Sequence, residues 1–410
     1  MCPSSPLVLF IVFQTALAFQ TDLSEQGMKA LDEKRYPEAV ASLTKAVAAD
    51  PKDYSLHFNL ALAYSLMGKN AEAIPEYKKT LELKPDLYQA ELNLGISLLR
   101  EKQPAEAVLY LTPAAAQNAK EYRANYYLGA ALLGAGDFGK AEQSYVAALA
   151  IDPKSPDAEL GLAHALAGEN KLEDAAVHFK QAAGLNADYR DDLLELAGMY
   201  EKANQPEQAM AIYRQFPENP GAQERLGDLQ LKAGKPVDAI ASLQSAVAKS
   251  PTEANRAALA EAFLKNNEPA KAQPLVEQIL AADPDNFEIR MLHGRLIRDQ
   301  RKFPEAAAEF ERAIKLKPGD PQAWSELAGV LFMAENYAPA LAALDRIAAL
   351  HAEKPGHVFL RAIVLDKTRD LKPALESYQR FLEMSQGENP NQEWQARQRI
   401  KTLQREIDKR

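Results

Sequence analysis

The sequence predicts an all-α solenoid, built from about eleven helix–turn–helix repeats and closed by a C-terminal capping helix. Three observations predict it. A small residue recurs with an alanine twelve positions later, in eleven copies mostly 34 residues apart. A bulky apolar residue follows each alanine by four, the spacing that puts both on one helix face. The 25 prolines fall largely at the boundaries these columns define, and no segment needs strand alternation.

The N-terminal segment stands outside this pattern. Leu7 to Ala18 is an apolar run of about 12 residues, too short for a membrane-spanning helix. It ends in Ala16-Leu17-Ala18, with small residues where a signal peptidase reads. Residues 1–18 therefore read as a secretory signal, and the chain as exported, periplasmic or secreted. An uncleaved N-terminal anchor and a mis-assigned start remain the alternatives. No Lys or Arg precedes the run, and Cys2 stands too early for a lipoprotein cysteine. After cleavage no stable membrane span is expected. Cys2 is the sole cysteine, which excludes an internal disulfide and a cysteine-based metal site.

The repeats begin near 20, 54, 88, 122, 156, 190, 220, 253, 287, 321 and 355. Their small residues are Gly27, Ala61, Gly95, Gly129, Ala163, Ala197, Gly227, Ala260, Gly294, Ala328 and Ala362. A leucine usually precedes the small residue, giving the first helix its apolar face. Small side chains there let the second helix approach closely. Pro37, Pro104, Pro206, Pro236, Pro269, Pro304, Pro339 and Pro373 mark the start of second helices, where a missing N–H costs nothing. Pro113 lies inside a second helix and predicts a kink.

The sixth repeat is four residues short and closes with Phe216-Pro-Glu-Asn-Pro-Gly221, which shortens its second helix. This is either a deletion absorbed locally or a joint between two sub-arrays, 19–219 and 220–388. Residues 389–410 form the cap, with Trp394, Ile400, Leu403 and Ile407 able to share a face.

These columns resemble the tetratricopeptide repeat over about residues 20 to 388. The resemblance implies a right-handed superhelix whose concave groove is lined mainly by first helices. It implies a non-enzymatic scaffold that binds a protein or peptide. The groove residues so implied are Phe58, Asn59, Leu62, Leu92, Asn93, Ile96, Arg123, Tyr126 and Tyr127. Asn59 and Asn93 occupy equivalent columns, and an amide can both donate to and accept from a peptide backbone. Lysine and asparagine mark the first repeat of chaperone-tail binders; Ser24 and Met28 stand there instead, which argues against that ligand. The equivalent columns of later repeats are charged, with Glu224, Arg225, Asp228, Glu261, Arg295, Arg298 and Asp299. A binding module for an extended carbohydrate or envelope polymer, stacking on Phe58, Tyr126 and Tyr127, is the competing reading.

Other chemistry finds no support. A net charge of −9 and a pI near 5.4 argue against a nucleic-acid partner. His57, His164, His178, His293, His351 and His357 show no metal-ligand spacing. No cofactor, metal or catalytic constellation is expected, and so no enzyme. Gly134-Ala-Gly136-Asp-Phe-Gly139-Lys140 spells a GxGxxG with a lysine, the pattern of a phosphate loop. A phosphate loop needs a preceding strand. Here Gly129 and Ala141 are repeat columns, so the glycines fill the turn between two helices.

Overall fold

The computed structural model describes residues 23–408, and all regular structure among them is helical. The leader, residues 1–18, lies outside the described residues. Two compact units divide after Ile212.

In the N-terminal unit, α1 (23–32) and α2 (Tyr36–Ala49) make the first repeat. Four pairs follow: α3 (Tyr54–Leu66) with α4 (Asn70–Leu83), α5 (Tyr88–Arg100) with α6 (Pro104–Gln117), α7 (Tyr122–Ala135) with α8 (Phe138–Ile151), and α9 (Pro156–Gly168) with α10 (Leu172–Leu185). The sixth repeat holds α11 (Asp192–Lys202) and the short α12 (Pro206–Tyr213). The C-terminal unit carries α13 (Pro220–Lys232) with α14 (Pro236–Lys249), α15 (Glu253–Lys265) with α16 (Pro269–Ala282), and α17 (Phe287–Asp299) with α18 (Phe303–Leu316). It ends with α19 (Pro321–Met333), α20 (Tyr337–Ala349), α21 (Pro355–Lys367), α22 (Leu371–Ser385) and the cap α23 (Pro390–Asp408).

The small column works as steric reasoning requires. A Cβ on Gly27 would lie 2.6 Å from Leu43, and one on Gly294 would lie 2.7 Å from the Phe310 ring. Leu43 and Phe310 are the bulky residues of the second helices, both fully buried. Each bulky side chain therefore sits directly on its partner helix's small residue. Burying such a residue contributes about 1.5–3 kcal/mol.

The turn inside each repeat uses one residue with left-handed backbone. These are Lys34, Gly68, Lys102, Gly136, Asn170, Asn204, Gly234, Asn267, Arg301, Glu335 and Arg369. Their spacing follows the repeat, including its two shortened steps. At Gly136 the helix ends with Asp137 N–H donating to the Leu132 carbonyl at 2.9 Å. Asp137 then caps α8, and its carboxylate accepts from Lys140 Nζ at 2.7 Å. The glycine–lysine stretch is a helix stop followed by a helix start.

Of the prolines inside second helices, Pro75 and Pro274 are exposed and Pro113 is half-buried. The helix runs through Pro113 to Gln117. Pro113 deprives the Leu109 carbonyl of its helical donor, and Leu109 is 67% exposed, so water can replace that donor. Pro75 and Pro274 lie inside α4 and α16 in the same way.

The shortened sixth repeat ends as the prolines dictate, with α12 only 8 residues long. In the C-terminal unit, Gln223 Nε2 donates to the Phe216 carbonyl at 3.1 Å, and Asn219 caps α13. At the other end, Ala396 and Leu403 of α23 are fully buried, with Ile400 and Ile407 packed beside them. Trp394 departs from the expected face and is 64% exposed. The apolar stripe runs through 396, 400, 403 and 407, and Trp394 lies two residues earlier, on the opposite side. Arg399 clasps Asp366 through Nε and a second nitrogen, the latter at 2.7 Å.

Candidate functional site: the first-helix face of the N-terminal unit

The groove residues expected from the sequence fall into three groups. Phe58, Asn59, Leu62, Asn93, Tyr126 and Tyr127 are half-buried, and Arg123 is exposed. Leu92 and Ile96, by contrast, are buried at 4% and 7% exposure and belong to the core of repeats two to four. They have little surface to offer a ligand. Phe58 and Tyr127 pack against the same cluster and so help to cover it.

The two asparagines are not equivalent. Asn59 has no side-chain hydrogen bond among the described residues, which leaves its amide open. Asn93 stands beside the phenol of Tyr77 and acts on its titration. Burial pushes that phenol up to about 12, against the opposing pull of Ser65 and Asn93. The tyrosine is thus a neutral packing residue, and Asn93 is partly committed to it.

The tyrosines make a continuous ring surface. Tyr126 stacks on Tyr122, with centroids 5.6 Å apart and planes at 12°. Tyr127 meets Tyr126 edge-on at 5.1 Å, and Tyr145 does so from below at 6.0 Å. Pairs of this geometry contribute about 0.5–1.5 kcal/mol beyond area burial. Burial, then the charge of Asp157, pushes the Tyr126 hydroxyl up to about 12, so it remains a donor at neutral pH. Tyr122 was not among the expected residues. Its signal was its place one turn before Tyr126 on the same helix.

A second set escaped sequence reading altogether. The column four residues before the small one holds buried polar side chains: His57, Glu91, Asn125, Glu159, Gln223 and Arg290. Several donate to the backbone that enters their helix. Asn125 reaches the Ala119 carbonyl at 3.1 Å and Trp324 reaches that of Pro318 at 2.9 Å. Arg290 does the same to Pro284, and His57 Nε2 lies 3.1 Å from the Pro51 carbonyl. The other side of this column meets the second helix. His57 pairs with Glu76 at 2.6 Å, Glu159 with His178 at 2.6 Å, and Arg290 with Glu309 at 2.8 Å. A buried polar residue is tolerable when so satisfied. These contacts fix the first helices that carry them to the preceding linker or to their own partner, and so help to set the angle at which the groove face is shown.

Much of the charge in the C-terminal unit's columns is internally paired. Glu326 accepts from Arg295 at 2.8 Å and from Arg298 at 2.6 Å, and Arg298 also meets Asp299 at 2.9 Å. Glu261 pairs with Lys265 at 2.9 Å. This leaves the N-terminal unit as the place where uncommitted amide and aromatic groups are gathered. Among the described residues no cluster of three His, Cys, Asp or Glu side chains could hold a metal ion. Among them, too, no helix is long and apolar enough to cross a membrane.

Comparison with known proteins agrees with this architecture. One tetratricopeptide repeat model matches residues 92–156, 211–254, 257–321 and 292–358, and another matches residues 30–93. The matches cover more than half of the chain, which belongs to the tetratricopeptide repeat family. Repeats of this family typically bind protein or peptide partners, and the chain is a protein-interaction scaffold of that class. No curated protein matches it. Similar solved structures include MamA protein, at 24% identity and a TM-score of 0.39 over 41% of this chain and 92% of that one. MamA 41-end from Desulfovibrio magneticus RS-1 is 22% identical, with a TM-score of 0.39 over 42% of this chain and 96% of that one. YrrB, described as a TPR protein with an unusual peptide-binding site, is 21% identical, with a TM-score of 0.39 over 42% of this chain and 94% of that one.

Proposed function

We propose that the chain is a non-enzymatic scaffold that holds an extended polypeptide along the first-helix faces of its N-terminal unit, in an exported assembly. The observation that carries this reading is the open amide of Asn59 on α3, in a unit whose first helices also show the half-buried aromatic residues Phe58 on α3 and Tyr126 and Tyr127 on α7. An extended backbone presents alternating donors and acceptors, which an uncommitted amide can meet from one side chain. Aromatic rings further along the same row of first helices add contact area at low entropic cost. The apolar run at Leu7–Ala18 supports export.

Partners recovered by crosslinking and pull-down in the native host can be offered back to the purified chain. The double variant Asn59→Ala, Tyr126→Ala should capture them about tenfold less well, a loss of the size expected for interface anchors. Its helicity should be unchanged. Capture as strong as wild type contradicts the groove. Binding on a glycan array without any polypeptide capture favours the carbohydrate reading instead. N-terminal sequencing tests the cleaved signal: a mature chain starting near Phe19 supports it, and a retained Met1 contradicts it.

A further inference from the structure

A cavity of about 510 Å³ opens beside the turns of repeats four to six, within the N-terminal unit. Leu133, Phe138, Leu172 and Met199 make its apolar wall, and His164 and Lys202 stand in the lining. That volume falls in the range of ligand pockets and exceeds what one large side chain needs.

The cavity has a cause in the sequence. Ala167 occupies the column that holds Leu99, Leu133 and Phe332 in other repeats. Gly168 follows it, and the Phe138 ring packs directly over it, where a Cβ would clash. Ala167 is therefore the residue that leaves space, since its single methyl stands where those repeats carry a larger side chain. The space continues the first-helix face. His164 stands in the column of Leu62 and Ile96, with its ring edge-on to Phe179 at 5.1 Å.

The charges around it are unequal. Glu169 is matched by Lys171 at 2.5 Å, and Lys171 also reaches Glu142 at 2.8 Å. Glu195 is faced by His164 at 3.9 Å. Lys202 has no ion-pair partner among the described residues. The lining thus presents one unmatched cation beside an apolar hollow.

We infer that this cavity receives a large apolar side chain of the bound polypeptide, Leu, Met or Phe, while a neighbouring acidic residue of that polypeptide meets Lys202. This rests on the polypeptide reading above and gives the partner its chemistry. A cation at the edge of a desolvated pocket selects its charge partner more than it adds affinity, so the anchor and the acid should be separable.

The test is an array of synthetic peptides in a Gly/Ser background, probed with the full chain. Each peptide carries Phe, Leu or Ala next to Asp or Lys. Wild type should prefer Phe–Asp and Leu–Asp over Ala–Asp and over Phe–Lys by about tenfold. Ala167→Phe, a residue this column already accepts at Phe332, should erase the preference for Phe and Leu and keep that for Asp. Lys202→Glu should reverse the charge preference and keep the apolar one. Circular dichroism melts of both variants verify folding. Wild-type preferences in both folded variants overturn the pocket and leave the groove standing. Silence of the whole array towards wild type overturns the pocket and the polypeptide reading together.

Discussion

Gly294 and Gly329 are both glycines inside first helices, yet the fold uses them differently. A Cβ at Gly294 would press into the buried Phe310 ring, and one at Gly329 would meet nothing within 4 Å. Gly294→Ala should therefore destabilise the chain by about 1–3 kcal/mol through overpacking. Gly329→Ala should stabilise it by about 0.5–1 kcal/mol, because alanine loses less backbone entropy. Thermal or denaturant unfolding of the two variants measures both signs. The turn residues give a companion case. Glu335 holds φ at +58°, where a Cβ is strained and glycine is not. Glu335→Gly should raise stability by about 1 kcal/mol, while the same change at an α-helical glutamate lowers it. The 34-residue columns were legible because small and bulky types alternate with helical spacing. The left-handed turn position was not, because Lys34, Lys102, Arg301, Glu335 and Arg369 lack the glycine or asparagine that would announce it.

Six of the first helices carry a buried polar residue near their start, four positions before the small one. Asn125 Nδ2 donates to the carbonyls of Ala119 and Glu121 at 3.1 and 3.0 Å, tying the linker to α7. Asn125→Ala should cost about 1 kcal/mol and loosen the approach to α7, read as faster amide exchange in residues 118–122. Glu91 in the same column behaves oppositely. Burial raises its carboxyl above the usual range, the charge of Asp86 adds to this, and the bond from Gln117 opposes it. The folded state then holds the proton more tightly than the unfolded chain. The stability this contributes is full below the unfolded pKa and is lost as pH rises through the folded one. Glu91→Gln should therefore be more stable than wild type at neutral pH, with the advantage shrinking as pH falls into the carboxylate range. Equal curves across pH 4 to 7 contradict this. This column was invisible in sequence because one polar residue per repeat looks like an ordinary surface position. Only the packing reveals that His57, Asn125 and Arg290 face backbone rather than water. The misjudged lining residues have a related cause. Helical spacing places Leu92 and Ile96 on the same face as Asn93, but large neighbours from adjacent repeats cover them.

At the scale of the whole molecule, a repeat array buries its core between successive neighbours and leaves the first-helix face for recognition. In the N-terminal unit that face gathers tyrosines, an open amide and an apolar hollow. In the C-terminal unit the equivalent columns spend their charges on one another, as Glu326 does with Arg295 and Arg298. Site-specific photocrosslinking tests this division of surface most directly. A photoreactive phenylalanine analogue placed at the half-buried position 62 samples the proposed groove and leaves the Asn59 amide in place, and one at position 109 samples the exposed outer side of α6, where Leu109 is 67% exposed. A polypeptide adduct is expected from position 62, competed by excess unlabelled partner, and none from position 109. Adducts from position 109 alone, or equally from both, would contradict it.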